Sequence, residues 1–228
     1  MSGITVSDRQ LAAIKFAVFV ACLLPFAGYG HAIYADTLGA NPIEALTRGL
    51  GTWALNLLLV TLAVTPARRL TGMSWLLRLR RMLGLFAFFY AALHLGTYLW
   101  LDQFFDWPAI AKDILKRPFI TVGMAAFALL LPLAATSNRY SIRRLGGRRW
   151  QSLHRAVYAI GVLAVLHYFW MVKLDTRLPL AYAGVLVALL GARAWWRGQE
   201  LSRQRQSARL PTRPIVAGRK VIPMTLKK

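Results

Sequence analysis

Long apolar stretches separated by short polar connections dominate this chain. Six of them approach or reach the roughly 17–25 apolar residues with which a helix crosses the hydrocarbon core of a bilayer. Within each stretch the residues are apolar nearly all round, as expected of helices in lipid. The pattern therefore predicts an all-α polytopic membrane protein, a bundle of six transmembrane helices. The stretches cover residues 16–35, 49–66, 82–101, 118–136, 151–172 and 178–197.

The residues outside these stretches set the domain organisation. Residues 1–15 form a polar N-terminal segment, residues 16–197 a transmembrane domain, and residues 198–228 a basic tail that we expect to be loosely ordered. Pro66 is expected to end the second stretch, and Pro25 to kink the first, because proline lacks a backbone N–H. Little remains for a separate soluble catalytic domain.

The composition is that of a membrane protein, and the distribution of charge predicts its orientation in the membrane. Of the 228 residues 57% are hydrophobic, and the formal net charge is +21. Six Lys/Arg and six Asp/Glu share the connections 36–48, 102–117 and 173–177. The alternate connections and the tail are strongly basic, which is the positive-inside pattern. It predicts that both termini are cytoplasmic, and it explains the charge without nucleic-acid binding. The basic residues are Arg68, Arg69, Arg78, Arg80, Arg81, Arg139, Arg143, Arg144, Arg148 and Arg149, followed by ten Lys/Arg from Arg193 to Lys228.

Three histidines lie inside these apolar stretches. An ionisable side chain at membrane depth is costly, so a functional role is the first hypothesis. Imidazoles on neighbouring helices can bind a haem iron from both faces. His94 and His167 both fall in the outer halves of their stretches, whereas His154 lies near the inner end of the fifth. The depths favour a bis-histidine b-type haem between His94 and His167.

His154 needs a different partner. It is 13 residues before His167, a rise of roughly 19.5 Å, and on a straight helix the two do not share a face. Either the helix is irregular, near Gly161, or the two rings meet different groups. His154 could serve a second, inner haem, a flavin or a quinone, and one haem and two haems stay equally open. Arginines near it could bind haem propionates or a flavin phosphate, although each also suits topology and lipid headgroups: Arg80, Arg81, Arg149 and Arg155.

Other chemistry has little support in the sequence. The apolar stretches carry essentially no Asp or Glu, so a carboxylate-rich metal site lacks ligands there. The single cysteine, Cys22, excludes an intrachain disulfide and a CxxC motif. His31 fits a solvated residue at the end of the first stretch, and a histidine in a span can also simply bond a neighbouring carbonyl.

Several segments together resemble the MsrQ family, formerly YedZ, which is related to the ferric reductase-like transmembrane domain. The resemblance covers about residues 20–195 and rests on an ordered set of motifs. They are LLPFAGY, LGANPIEALTRGLGTWAL, TLAVTPARRL, RLRRMLGLFAFFYAALHL, KRPFITVG, LGGRRWQSLHRAVYAIGVLAVLHYFW and PLAYAGVLVALL.

The resemblance implies a b-type cytochrome of the bacterial inner membrane, with haem ligands at His94, His154 and His167. Electrons would come from the quinone pool or a cytoplasmic flavin reductase. They would pass through haem b, with FMN also a family cofactor, to a periplasmic molybdopterin-dependent methionine sulfoxide reductase. The chain would then be an electron-transfer subunit without catalytic residues of its own. It has a single histidine in its third stretch and no flavin or nucleotide domain, unlike NADPH oxidases.

Two other functions remain open from the residues. One is a self-contained metalloreductase or quinone oxidoreductase acting on a small substrate. The other is a small transporter or a structural membrane anchor, whose histidines carry protons or pack.

Overall fold

The computed structural model describes residues 6–172 and 174–209, and every regular element in these two ranges is helical. Six of the helical stretches are long and apolar enough to cross a membrane, as the hydropathy pattern predicts. They are Asp8–Tyr34, Pro42–Thr71, Arg80–Asp102, Pro118–Ala135, Gly147–Met171 and Arg177–Ser207. The all-α fold class and the six candidate spans are thus confirmed.

Nine α-helices make up these stretches and their connections in the described part of the chain. They are α1 (Asp8–Tyr34), α2 (Pro42–Thr71), α3 (Arg80–Thr97), α4 (Trp107–Lys116), α5 (Pro118–Ala135), α6 (Arg139–Leu145), α7 (Gly147–His154), α8 (Ala156–Met171) and α9 (Arg177–Arg209). A 3₁₀ turn, Ser74–Arg78, precedes α3, and a π-helical turn, Tyr98–Asp102, extends it.

The core lies among α2, α3, α5 and α8. The helix α2 packs mainly on α3, and α5 packs mainly on α8, while α3–α5 and α2–α8 contacts join the two pairs. Fully buried side chains such as Leu62 and Ile160 belong to this core. Many side chains of α1 remain exposed, as for a helix whose outer surface meets lipid.

Polar residues fix the helix ends. Asn41 caps α2 and Asp106 caps α4, each through its side-chain oxygen, and a proline occupies the first turn of both helices. The prediction that Pro66 ends the second span is wrong, because α2 continues to Thr71. It ends instead at Gly72, which takes the left-handed conformation with φ 74° and donates to the Arg68 carbonyl.

The connections alternate between two sides of the bundle. We call the side that carries the connection 103–117 the mixed-charge side, and the side that carries the connections 72–79 and 136–146 the arginine side. The names follow the charged residues that each side presents. On the arginine side, α7 and α8 are separated by an irregularity at Arg155. The Arg155 N–H is shared between the carbonyls of Gln151 and Ser152.

The chain divides into two compact units after Ala192. In the second unit, residues 193–209 are helical and complete α9. We expected a loosely ordered tail from residue 198, and up to Arg209 this expectation is wrong. The apolar stretch ends near residue 197, but residues that favour helices, such as Glu200, Arg203 and Gln204, continue beyond it. The rest of the predicted tail and residues 1–5 lie outside the described residues.

Candidate functional site

A cavity of about 370 Å³ lies among α2, α3, α5 and α8. Its size is typical of small-molecule and cofactor sites. Most of its wall is apolar, and small residues on all four helices leave the space open. Both His94 and His167 line it. The small and apolar lining residues include Gly51, Leu55, Leu58, Ala87, Ala91, Gly123, Ala126, Phe127, Leu130, Ile160 and Ala164.

The ring of His94 is held against α2. Its Nδ1 lies 2.8 Å from the carbonyl oxygen of Thr47. Because a carbonyl only accepts, Nδ1 carries the proton, and the lone pair of a neutral ring is then on Nε2. The ring also passes over Gly51, where a Cβ atom would lie 3.0 Å from His94 Nδ1.

The ring of His167 is held against α5 in the same way. Its Nδ1 donates to the Phe119 carbonyl oxygen at 2.6 Å. A Cβ atom on Gly123 would lie 2.7 Å from His167 Nδ1. In both cases the ring rests on a carbonyl and on the glycine four residues later. This arrangement fixes the tautomer, as the second hydrogen bond of a metal-binding histidine commonly does.

The two rings meet inside the cavity. Their centres are 6.0 Å apart, and their planes are inclined by 76°. Imidazole–metal bonds are about 2 Å long, and the ring centre lies about 1 Å beyond the nitrogen, so two imidazoles on opposite sides of one metal have centres roughly 6 Å apart. The spacing of His94 and His167 fits that requirement. In residues 6–172 and 174–209, no group of three or more His, Cys, Asp or Glu could hold a metal ion.

His154 stands apart from this pair. It ends α7 on the arginine side and is not among the residues that line the cavity. Its Nδ1 donates to the Trp150 carbonyl at 3.1 Å, and the Trp150 ring stacks on it with centres 3.8 Å apart. Its Nε2 lies 3.4 Å from Ser137 Oγ, whose proton is directed to the Leu133 carbonyl 2.7 Å away. The structure thus shows both features that the sequence left open: the two rings have different hydrogen-bond partners, and the helix is irregular between them.

The helix irregularity between His154 and His167 lies at Arg155 rather than near Gly161. Gly161 is buried inside α8, where a Cβ atom would lie 3.2 Å from a methyl group of Leu186. The glycine therefore marks close helix packing and not a break in the helix.

The four arginines singled out in the sequence are on the arginine side with His154, outside the cavity lining. Arg80 lies within electrostatic range of the His154 ring. Arg155 donates from Nη2 to Ser152 Oγ at 3.0 Å. Arg81 and Arg149 are exposed, and so is His31 at the end of α1.

Sequence reasoning missed most of the cavity wall. The carbonyls of Thr47 and Phe119, and the two glycines Gly51 and Gly123, carry no pattern that distinguishes them from other residues of an apolar helix. Two arginines on the mixed-charge side, Arg48 and Arg117, also line the cavity. The sequence does not single them out, because its candidate arginines are those near His154.

The fold and the histidine pair together define a class: a polytopic helical membrane protein with facing imidazoles between its spans. Comparison with known proteins agrees. The family described as ferric reductase like transmembrane component matches residues 50–165, about half of the chain.

Closer relatives cover nearly the whole chain. It is 61% identical to the protein-methionine-sulfoxide reductase heme-binding subunit MsrQ of Azospira oryzae over 208 residues, 91% of this chain and 87% of that protein. It is 56% identical to the MsrQ of Rhodospirillum rubrum over 210 residues, 92% of this chain and 99% of that protein. The MsrQ of Herminiimonas arsenicoxydans is 53% identical over 199 residues, 86% of this chain and 91% of that protein. The chain belongs to the MsrQ family.

Proposed function

We propose that this chain is a b-type haem-binding membrane subunit that passes electrons to a periplasmic methionine sulfoxide reductase. The observation that carries the proposal is the facing of His94 and His167, with ring centres 6.0 Å apart and each Nδ1 bonded to a backbone carbonyl. The relatives are named heme-binding subunits of a protein-methionine-sulfoxide reductase, which supports the same reading.

Each part of the site has a role in this proposal. When bound, haem b supplies a one-electron carrier within the membrane. His94 and His167 would hold its iron through Nε2, and the Thr47 and Phe119 carbonyls would keep both rings in position. The apolar wall excludes water, which lowers the local dielectric and so influences the reduction potential. No residue of the chain is assigned a bond-making role.

The direction of transfer follows from the proposed topology. The arginine side would face the cytoplasm by the positive-inside rule, so both termini and the start of α8 lie there. The mixed-charge side, nearer His94 and His167, would face the periplasmic partner, a molybdopterin-dependent enzyme. Electrons would enter from the quinone pool or from a cytoplasmic flavin reductase, in the inner membrane of a bacterium.

In this proposal His154 lies on the arginine side, where electrons enter. Its Nε2 lies 3.4 Å from Ser137 Oγ, whose proton serves the Leu133 carbonyl, and that carbonyl is also a hydrogen-bond partner of the ring. A ligand on the arginine side would take Nε2 in exchange for these contacts. A second haem, FMN or a quinone are the candidates, and Arg80, Arg81, Arg149 and Arg155 lie on the same side, where arginines could bind phosphate or carboxylate groups.

The haem-to-protein ratio of the purified chain tests the proposal. The parent protein should show the reduced spectrum of a bis-histidine b-type haem. His94→Ala and His167→Ala should each lose that haem, whereas His31→Ala, which alters an exposed histidine, should keep it. His154→Ala distinguishes one haem from two, because it should lower the ratio only if a second haem binds there. A parent protein without porphyrin, made in haem-replete cells, would refute the proposal.

The name of the matching family favours one alternative, a self-contained reductase of ferric chelates. Reduced protein in liposomes separates the two functions. Our proposal predicts slow reoxidation by ferric chelates and fast reoxidation by the purified periplasmic reductase with its methionine sulfoxide substrate. Rapid, sustained turnover of chelates without a partner would favour the alternative.

A further inference from the structure

The charged residues of the cavity are confined to one end. Among its lining residues, Arg48, Asp102 and Arg117 are charged, and all three lie toward the mixed-charge side. The opposite end of the lining is formed by apolar side chains such as Leu58, Leu130 and Ile160. Any ligand that fills the cavity therefore meets two guanidinium groups and one carboxylate at one end, and hydrocarbon at the other.

Each arginine is adjacent to the backbone that holds a histidine. Arg48 directly follows Thr47, whose carbonyl accepts from His94. Arg117 precedes Phe119, whose carbonyl accepts from His167, by two residues. The two arginines thus lie in different parts of the chain, Arg48 on α2 and Arg117 at the junction of α4 and α5, and each is close in sequence to the support of one histidine. A ligand bound between the rings would have one arginine associated with each of its two histidine supports.

Acidic neighbours hold the arginine side chains without using all of their donors. Arg48 Nη2 lies 2.5 Å from Glu44 Oε1, one helical turn earlier. Arg117 Nε lies 3.4 Å from Asp113 Oδ1. A guanidinium has five N–H donors, so these ion pairs leave donors for a second anion. Both side chains are more than half exposed, which keeps them hydrated and lets them adjust to a ligand.

We propose that Arg48 and Arg117 bind the two carboxylates of the porphyrin, so that its propionate edge faces the mixed-charge side. This inference rests on the proposed haem-binding function and names the residues that orient the cofactor. Arginine suits the task because its planar fork matches a carboxylate bidentately. The apolar edge of the ring then lies against the buried end of the cavity. The arginines around His154 take no part in this contact.

The test uses the full-length protein, made without haem and reconstituted in detergent with either hemin or hemin dimethyl ester. The ester has the same ring and iron but no carboxylates. The parent should bind hemin about tenfold or more tightly than the ester, since charge-assisted hydrogen bonds are about twice as strong as neutral ones. The double variant R48Q/R117Q should lose most of this preference. R177Q, which removes an exposed arginine from the start of α9 on the same side, should keep it.

Redox titration provides a second, independent readout. Removing positive charge near the iron favours the oxidised form, so R48Q/R117Q should lower the midpoint potential. A tenfold shift of the redox equilibrium corresponds to about 59 mV for one electron. The variant R48K/R117K restores the charges and should recover the potential, even though it only partly recovers the hemin preference.

The outcomes separate this inference from the proposed function. If the parent binds neither porphyrin, the proposed function itself fails. If the parent binds hemin and its ester equally, or if R48Q/R117Q retains the parent's preference and potential, haem binding stands and the assignment of the arginines is wrong. Should R48Q/R117Q fold poorly, R48K/R117K and the ester comparison on the parent still decide between these results.

Discussion

Gly123 lies directly beneath the ring of His167. A Cβ atom at residue 123 would be 2.7 Å from His167 Nδ1, a distance that real Cβ contacts essentially never show. The same hydrogen bond that fixes the ring, from Nδ1 to Phe119 O at 2.6 Å, requires this close approach. Glycine is therefore needed here for space, and not for an unusual backbone conformation.

Gly123→Ala should displace the His167 ring. The added methyl group competes with the Nδ1 hydrogen bond, so the ring must rotate away from the position opposite His94. We expect loss of most of the haem. Gly51→Ala should have a weaker effect, because its Cβ atom would meet His94 Nδ1 at 3.0 Å. The haem-to-protein ratio of each purified variant measures the effect of its substitution.

Gly96→Ala is the matched control. Gly96 is on α3 near His94, but a Cβ atom there would meet nothing within 4 Å. This variant should keep full haem and gain about 0.5–1 kcal/mol from helix propensity. Full haem in Gly123→Ala would show that the ring position does not matter to binding.

The membrane spans and the depths of the histidines can be predicted from the sequence, whereas most of the cavity wall cannot. Lipid leaves few alternatives to long apolar helices, so hydropathy alone predicts all six. Distances to the nearest charged connections put His94 and His167 at one depth, and the structure brings their rings together. No sequence pattern predicts that the histidines bond to the carbonyls of Thr47 and Phe119. Every residue has a carbonyl, and helix packing decides which one a side chain reaches.

Tyr90 is fully buried and its hydroxyl is inserted into α1. The hydroxyl donates to Cys22 O at 2.7 Å and accepts from Phe26 N–H at 3.1 Å. In a regular helix those two groups would bond to each other. Pro25 lies between them and disrupts the local ladder, as proline does inside a helix. The tyrosine thus completes the hydrogen bonding at the proline predicted to kink the first span.

Tyr90→Phe should lower the free energy of unfolding by about 1–3 kcal/mol, the usual cost of leaving buried polar groups without a partner. The measurement is denaturant unfolding in mixed micelles, with the spectrum of the reconstituted protein recorded in parallel. Tyr34→Phe, at a tyrosine that is 91% exposed, should leave the stability unchanged. Equal stabilities for the two variants would show that the hydrogen bonds of the Tyr90 hydroxyl do not stabilise the protein.

A second, partly buried hydrogen bond joins α2 to α9 within the first unit. Tyr182 Oη donates to Asn56 Oδ1 at 2.7 Å. Hydrogen bonds between membrane helices are worth about 0.6 kcal/mol on average and up to about 1.7 kcal/mol. In a double-mutant cycle of Tyr182→Phe and Asn56→Leu, we expect a coupling free energy in that range. Haem content should not change in any of the three variants, since neither residue lines the cavity. Additive effects of the two substitutions would contradict the bond.

Gly146 connects α6 to α7 with φ 76° and ψ 150°, a backbone conformation that is essentially restricted to glycine. The helix α7, which carries Trp150 and His154, begins at the next residue, and Trp150 N–H bonds to the Gly146 carbonyl at 3.0 Å. Gly146→Ala should therefore lower the free energy of unfolding by about 1–3 kcal/mol. It should also disturb the stacking of Trp150 on His154, which near-ultraviolet circular dichroism measures.

Haem held by His94 and His167 should remain in Gly146→Ala. Gly147→Ala, where the backbone is ordinary and a Cβ atom has open space, should do neither. If both alanine variants behave alike, the turn tolerates a side chain and the orientation of α7 is set by its packing alone.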